Sequence, residues 1–206
     1  MLSYSRFNSD QMKDALTKFL SRFNEFDQIE IQAIVDNTSL ELFKKRTVIL
    51  SEGEVCTKCY FILQGCIRQY QLIDGEEKTS ALFTEEQATV LYASYLNKEP
   101  SKYSLCCVED SIVISGTREQ EEKLHEQFPK LKYLVYTVMR DDYLKSQERI
   151  ASFINHTPEE RYLMLMEHQP SLLNRVPLHQ LASYIGVTPE SFSRIRKRTL
   201  TKQKSR

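Results

Sequence analysis

Glycine is scarce in this chain, with five residues in 206, and where it does occur it is informative. Gly53, Gly65, Gly75 and Gly116 punctuate one stretch and Gly186 stands alone near the C-terminus, so a turn or the end of an element is expected at each. No apolar run approaches the length of a membrane span. Met1 to Phe7 lack the apolar core of a signal peptide, so no membrane association and a cytoplasmic location are expected. The five cysteines are an odd number without an export signal, which argues for reduced thiols rather than a disulfide framework. His125, His156, His168 and His179 form no i, i+4 pair or cluster, and no metal site is expected of them. No nucleophile lies beside a base in any recognisable constellation, so the chain does not read as an enzyme. Repeats and low-complexity segments are also absent, while 41% apolar residues suffice for real cores.

The net charge is zero, but the charge is not evenly spread. Residues 171–206 hold Arg175, Arg194, Arg196, Lys197, Arg198, Lys202, Lys204 and Arg206 against one acid, Glu190. A basic end on an otherwise acidic chain is the footprint of phosphate contact. The same segment reads as two short helices about a tight turn. Leu178, Leu181, Ala182 and Ile185 share one helical face, and Phe192 and Ile195 another. Gly186 provides the left-handed stop, Thr188 can cap the next helix, and Pro189 at its first position has no N–H to leave unpaired. Glu190, Ser191, Ser193, Arg194 and Lys197 then form its solvent face, as a helix laid in a DNA major groove requires.

Earlier in the chain, helices with acidic starts are expected over 10–20 and 27–35. Between Leu40 and Gly116 the apolar period falls to two, predicting strands at Thr47–Leu50, Cys59–Leu63, Ile67–Ile73, Lys78–Phe83, Tyr103–Val108 and Ile112–Ser115, with a hairpin at Asp74-Gly75. Thr117 can cap an acidic helix to Gln127. Pro129 then starts a long helix to about residue 154, whose apolar stripe runs through Leu131, Leu134, Val135, Val138, Met139, Tyr143, Ile150, Phe153 and Ile154, with Leu131, Leu134, Val135, Val138 and Met139 as the expected dimer contacts. A narrow stripe flanked by Arg140, Asp141, Lys145, Glu148 and Arg149 suits pairing with a second copy, although Asp142 interrupts the seam. Thr157 and Glu160 form a capping box for a helix from Pro158 to Glu167.

The order of helix pair, β region, long helix and helix-turn-helix resembles the Crp/Fnr family of bacterial transcription regulators over nearly the whole chain. Val48-Ile49-Leu50-Ser51-Glu52-Gly53-Glu54 and Tyr60-Phe61-Ile62-Leu63-Gln64-Gly65-Cys66-Ile67-Arg68 are similar to that family's opening strands. The resemblance implies an α+β fold. Residues 1–128 would form a double-stranded β-helix (jelly-roll) sensor domain of the cyclic-nucleotide-binding type, 129–155 a dimerisation helix, and 156–206 a winged helix-turn-helix domain whose wing is reduced to a basic tail. It implies double-stranded DNA, a second copy of the chain and RNA polymerase as partners. The family's base-reading positions fall on Pro189, Glu190 and Arg194. Glu190 can accept from cytosine and Arg194 can donate twice to guanine, whereas Pro189 donates nothing. Arg196, Lys197 and Arg198 are assigned to phosphates, with Thr188, Ser191 and Ser193 alongside.

Cyclic-nucleotide-binding members carry a Gly-Glu pair followed by Arg and Ser or Thr. Here no arginine lies between Arg68 and Arg118 and no glycine between Gly75 and Gly116, while Glu85 and Glu86 would repel a phosphate. No cofactor and no cyclic nucleotide are therefore expected, and the effector is unidentified. Cys56, Cys59 and Cys66, with Cys106 or Cys107, suggest a rival: a redox or metal sensor, or a roll that binds some other ligand. Cys106 and Cys107 are adjacent in a strand and must face opposite ways, so small buried hydrophobes describe the cysteines better.

Overall fold

The computed structural model describes residues 9–204, with the side chains of 200 and 202–204 outside that description; Arg206 and the side chains of Lys202 and Lys204 thus lie beyond the described residues. Two helices open the described chain, α1 (Ser9–Leu20) and α2 (Gln28–Asn37). Asp27 caps α2: its carboxylate accepts from the Glu30 N–H at 2.8 Å and Glu30 accepts from the Asp27 N–H at 3.1 Å.

Eight strands follow: β1 (Leu40–Phe43), β2 (Val48–Leu50), β3 (Cys59–Gln64), β4 (Ile67–Ile73), β5 (Glu76–Phe83), β6 (Ala88–Thr89), β7 (Ser104–Cys107) and β8 (Ser111–Gly116). They pair antiparallel in two four-stranded sheets, β1-β8-β3-β6 and β2-β7-β4-β5, which face each other as a roll. Alternation decides the faces. Ile62, Ile67, Leu105, Cys107 and Val113 point between the sheets, where Tyr60 and Leu91 are buried with them and Tyr95 and Tyr103 pack alongside. Asp74 and Gly75 both have positive φ, 52° and 78°, as a two-residue hairpin turn needs. A short helix, α3 (Tyr92–Asn97), bridges β6 and β7; Ser94 ties it down by accepting from the Cys56 N–H at 2.8 Å and donating to the Glu99 carbonyl at 2.6 Å.

Beyond the roll come α4 (Arg118–Gln127) and the 27-residue α5 (Pro129–Asn155). Only the first turns of α5 are buried within the chain. Leu131 and Leu134 close a core with Leu16 and Leu20 of α1 and Ile31, Ile34 and Val35 of α2, and Val138 packs against it. The remaining helices are α6 (Pro158–His168), α7 (Leu172–Arg175), α8 (Leu178–Tyr184) and α9 (Pro189–Lys204). Among the described residues no strand follows α9, so the position of a wing is taken by a helix that runs on past residue 198. None of the described helices is long and apolar enough to cross a membrane.

Candidate nucleic-acid interface

The turn between α8 and α9 is closed by backbone bonds that only a left-handed residue permits. The Gly186 N–H donates to the Ser183 carbonyl at 3.0 Å and the Val187 N–H to the Ala182 carbonyl at 2.9 Å, with Gly186 at φ 78°. Thr188 opens α9: its carbonyl receives the Phe192 N–H at 2.9 Å and its hydroxyl receives the Ser191 N–H at 3.3 Å. Phe192, with no exposed surface, meets Tyr162 edge-on at 5.4 Å, and Leu181, Ala182, Ile185, Leu172 and Ile195 complete the core beneath the two helices.

The turn is also fastened to the long helix. Arg161 donates from Nε and Nη2 to the Ile185 carbonyl, at 3.0 and 2.8 Å, and from Nη1 to the His156 carbonyl at 2.6 Å. Its guanidinium lies 4.6 Å over the Phe153 ring, and a Cβ on Gly186 would stand 3.3 Å from Phe153.

With its apolar side buried, α9 presents the other to solvent. Pro189, Glu190, Ser193, Arg194, Lys197 and Arg198 are exposed, while Ser191 and Arg196 are half-buried. Arg194, Lys197, Arg198 and Thr201 line an open hollow of about 500 Å³. Arg194 is steadied by a 3.0 Å bond from Nη2 to the Ser191 hydroxyl, and Arg198 stands 3.6 Å from Glu159. Glu190 is held below the ordinary carboxylate range by its own backbone N–H, by the Thr188 hydroxyl and by Arg194, which keeps it a hydrogen-bond acceptor. Glu190, Arg194, Lys197 and Arg198 therefore share one accessible face with Pro189 and Ser193, while Arg196 and Ser191 stand half-buried at its edges.

Two groups of residues lie elsewhere than the sequence pattern suggests. Leu131 and Leu134 do not form a seam toward a second copy, because α1 and α2 cover them, and Val138 leans the same way. Val135 and Met139 remain exposed. They continue into the exposed part of the stripe, Tyr136, Tyr143 and Ile150, seven residues apart and 64%, 63% and 52% exposed, with Met139 between the first two and Phe153 one turn beyond the last. Asp142 does not interrupt this stripe but turns to the roll, accepting from the Ala88 N–H at 2.9 Å.

Arg175, counted in the sequence with the phosphate-facing charges, points inward. Its guanidinium donates to Glu85 at 2.7 and 2.9 Å, to Glu109 from Nε at 2.8 Å, and to the Gly65 carbonyl at 2.8 Å. Glu86 likewise pairs with Arg22, in the turn that follows α1. Sequence alone singled out neither Arg161 nor this use of Arg175. Each is a charged residue beside a predicted helix, and nothing local says which carbonyl or carboxylate it will reach.

The cysteines are scattered through the roll. Burial pushes the Cys59, Cys66 and Cys107 thiols up to about 12, which leaves them protonated and unreactive. Cys107 faces the roll core whereas Cys106 lies on the opposite face beside Arg68. No cluster of three His, Cys, Asp or Glu side chains able to hold a metal occurs among the described residues.

Against known proteins, residues 40–128 match the family model of the cyclic nucleotide-binding domain. The search of curated protein sequences finds no match. Solved structures match across most of the chain. FixK2 from Bradyrhizobium japonicum superposes with a TM-score of 0.65 at 17% identity, over 81% of this chain and 86% of that one. A CooA variant from Carboxydothermus hydrogenoformans gives 0.64 at 13%, over 90% and 84%. CLP, described as a c-di-GMP responsive global regulator of Xanthomonas campestris, gives 0.63 at 12%, over 84% and 93%. At these identities the likeness establishes the fold alone, shared with these three structures: a cyclic-nucleotide-binding-type roll, a long helix and a C-terminal helix-turn-helix.

Proposed function

We propose that this chain, having the Crp/Fnr fold, is a DNA-binding transcription regulator that acts as a homodimer on a near-palindromic site. The observation that carries the reading is the exposed face of α9, where Glu190, Arg194, Lys197 and Arg198 stand together over a helix-turn-helix whose apolar side is fully engaged. Arg194 and Glu190 are the base-reading pair. Lys197, Arg198 and the half-buried Arg196 serve phosphates, and Thr188, Pro189, Ser191 and Ser193 set the entry of the helix. With proline where an arginine would donate, the operator differs from those of relatives that read a base there.

Dimerisation runs along the exposed stripe of α5, through Tyr136, Met139, Tyr143 and Ile150. Heptad spacing is what a pair of helices needs to bury such side chains against each other. Two copies so joined present two α9 helices to successive major grooves, roughly 34 Å apart. The stretch from Phe83 to Tyr103 has neither arginine nor glycine, and its carboxylates Glu85 and Glu86 are already paired with Arg175 and Arg22, so the effector is not assigned as a cyclic nucleotide. Regulation works by changing the angle between the roll and the helix-turn-helix at the end of α5, where Phe153 and Arg161 meet the turn. The protein acts in the cytoplasm, and RNA polymerase is the machinery such a regulator addresses.

The test is fluorescence anisotropy with duplex DNA, comparing Arg194→Ala and Lys197→Ala with the parent. Loss of discrimination in the first and uniform weakening with a shallower salt dependence in the second are expected. If both variants bind as the parent does, α9 is not the reading helix.

A further inference from the structure

The segment 84–88, the loop between β5 and β6 together with the first residue of β6, is where three parts of the chain meet. Glu85 holds Arg175 of α7, and its Oε1 also accepts the Gly65 N–H at 2.9 Å. Glu86 pairs with Arg22 in the turn after α1. At the far end, the Ala88 N–H and the Gln87 side chain donate to Asp142 of α5, at 2.9 and 3.4 Å.

Such a loop transmits displacement only if it is stiff. Gln87 Oε1 accepts from the Thr84 N–H at 2.8 Å, the Glu86 N–H donates to the Ile62 carbonyl at 2.8 Å, and the Ile62 N–H donates to the Gln87 carbonyl at 3.0 Å. Glu86, at φ 65°, takes a left-handed conformation that a non-glycine residue adopts only when its surroundings impose it. Strand β3 thus grips the loop at its middle, and its two ends shift as one piece.

Beside the Arg175 clasp, the docking face of the C-terminal helices leaves polar atoms unpaired. The C-terminal helices dock on the outer face of the roll, where Cys66, Leu82 and Val108 join the core of Leu172, Val176 and Leu181. On that face Ser183 Oγ accepts the Thr79 N–H at 2.8 Å. Yet Arg68 Nε and Thr79 Oγ1, both on strands of this sheet, and Gln180 Oε1, one turn before Ser183 on α8, are buried without a hydrogen-bond partner. Buried polar atoms left unsatisfied weaken an interface and are regained by water when it parts.

We propose that the 84–88 loop couples the docking of the C-terminal helices on the roll to the seating of α5 on the roll, so that releasing Arg175 loosens the Asp142 contact and releasing Asp142 loosens the Arg175 contact. This reciprocity is what a coupling free energy between two sites requires. It does not depend on what α9 binds.

The test is hydrogen exchange resolved at single amides on the full chain, for the parent, Arg175→Gln and Asp142→Ala. The Thr79 amide reports docking and the Ala88 amide reports the α5 contact; Val113, fully buried in the roll, reports global unfolding. Arg175→Gln is expected to speed exchange at Ala88, and Asp142→Ala to speed it at Thr79, each by at least about fivefold, with Val113 unchanged. Effects confined to the mutated end overturn the proposal. Should Val113 lose protection in a variant, the parent decides. Raising salt from about 0.05 M to about 1 M screens the partly exposed Arg175 pairs, and the Thr79 and Ala88 amides should then accelerate together. Acceleration of Thr79 alone contradicts the coupling.

Discussion

Arg161 spans the gap between the end of the long helix, at the His156 carbonyl, and the helix-turn-helix by placing two further donors on the carbonyl of Ile185, the last residue before the Gly186 turn. That carbonyl belongs to a helix end and has no partner in its own helix. Arg161→Ala therefore removes three hydrogen bonds and the ring contact with Phe153, and should cost about 1–3 kcal/mol in urea unfolding. Arg161→Lys should recover only part of this, since an ammonium cannot fork onto one carbonyl while also reaching His156.

Gly186→Ala tests the turn itself. A side chain at φ 78° is strained by about 1–2 kcal/mol, and the added Cβ presses on Phe153 at 3.3 Å. A lower melting temperature with weakened DNA binding is the expected outcome. Gly53→Ala has a similar φ but open space around it, so it should cost stability without touching DNA affinity.

The two faces of α5 should separate in mutagenesis. Leu134→Ala opens a hole beneath α1 and α2 and should cost about 2–5 kcal/mol. Tyr143→Glu changes an exposed side chain and should leave monomer stability within about 0.5 kcal/mol while shifting sedimentation toward monomer. If Tyr143→Glu sediments as the parent does, the stripe at 136, 143 and 150 is not the seam.

Acid should loosen the Arg175 clasp. Burial raises the Glu85 carboxyl, but hydrogen bonds from Arg175 and from the Gly65 N–H outweigh it and hold the group below its ordinary 4.5. A depressed carboxyl contributes stability that is present above the unfolded value and lost as the pH falls through the folded one. Urea midpoints followed from pH 7 to below 4.5 should fall, and Glu85→Gln should flatten that part of the profile. Asp142 works the other way. Burial raises it despite its bonds from Ala88 and Gln87, so its contribution is present below its ordinary value and lost as the pH rises.

What was legible in the sequence was legible because it is local. Gly186, Thr188 and Pro189 act on their own backbone, and Asp74-Gly75 makes its turn unaided. Strand β1 escaped because all four of its residues are half-buried and show no alternation, and β6 is two residues long. Helix α3 is six residues held by Ser94, a tertiary contact without a sequence period. For α5 the pattern marked an apolar face, but periodicity cannot say whether a neighbour 100 residues earlier or a second copy covers it. Leu131 and Leu134 are covered from within. Arg175 is the same lesson in charge: its sign was plain, yet Glu85, 90 residues away, decides that it faces the roll.

The central claim is that α9 reads DNA in a symmetric pair, and selection of bound fragments from random duplex DNA by the full chain tests it most directly. Enrichment of an inverted repeat with half-site centres one helical turn apart, about 10 base pairs, is the result expected, with Arg194→Ala blurring the same position in both halves. Recovery of fragments with no shared sequence, or of a single unrepeated site unaffected by Arg194→Ala, would contradict it.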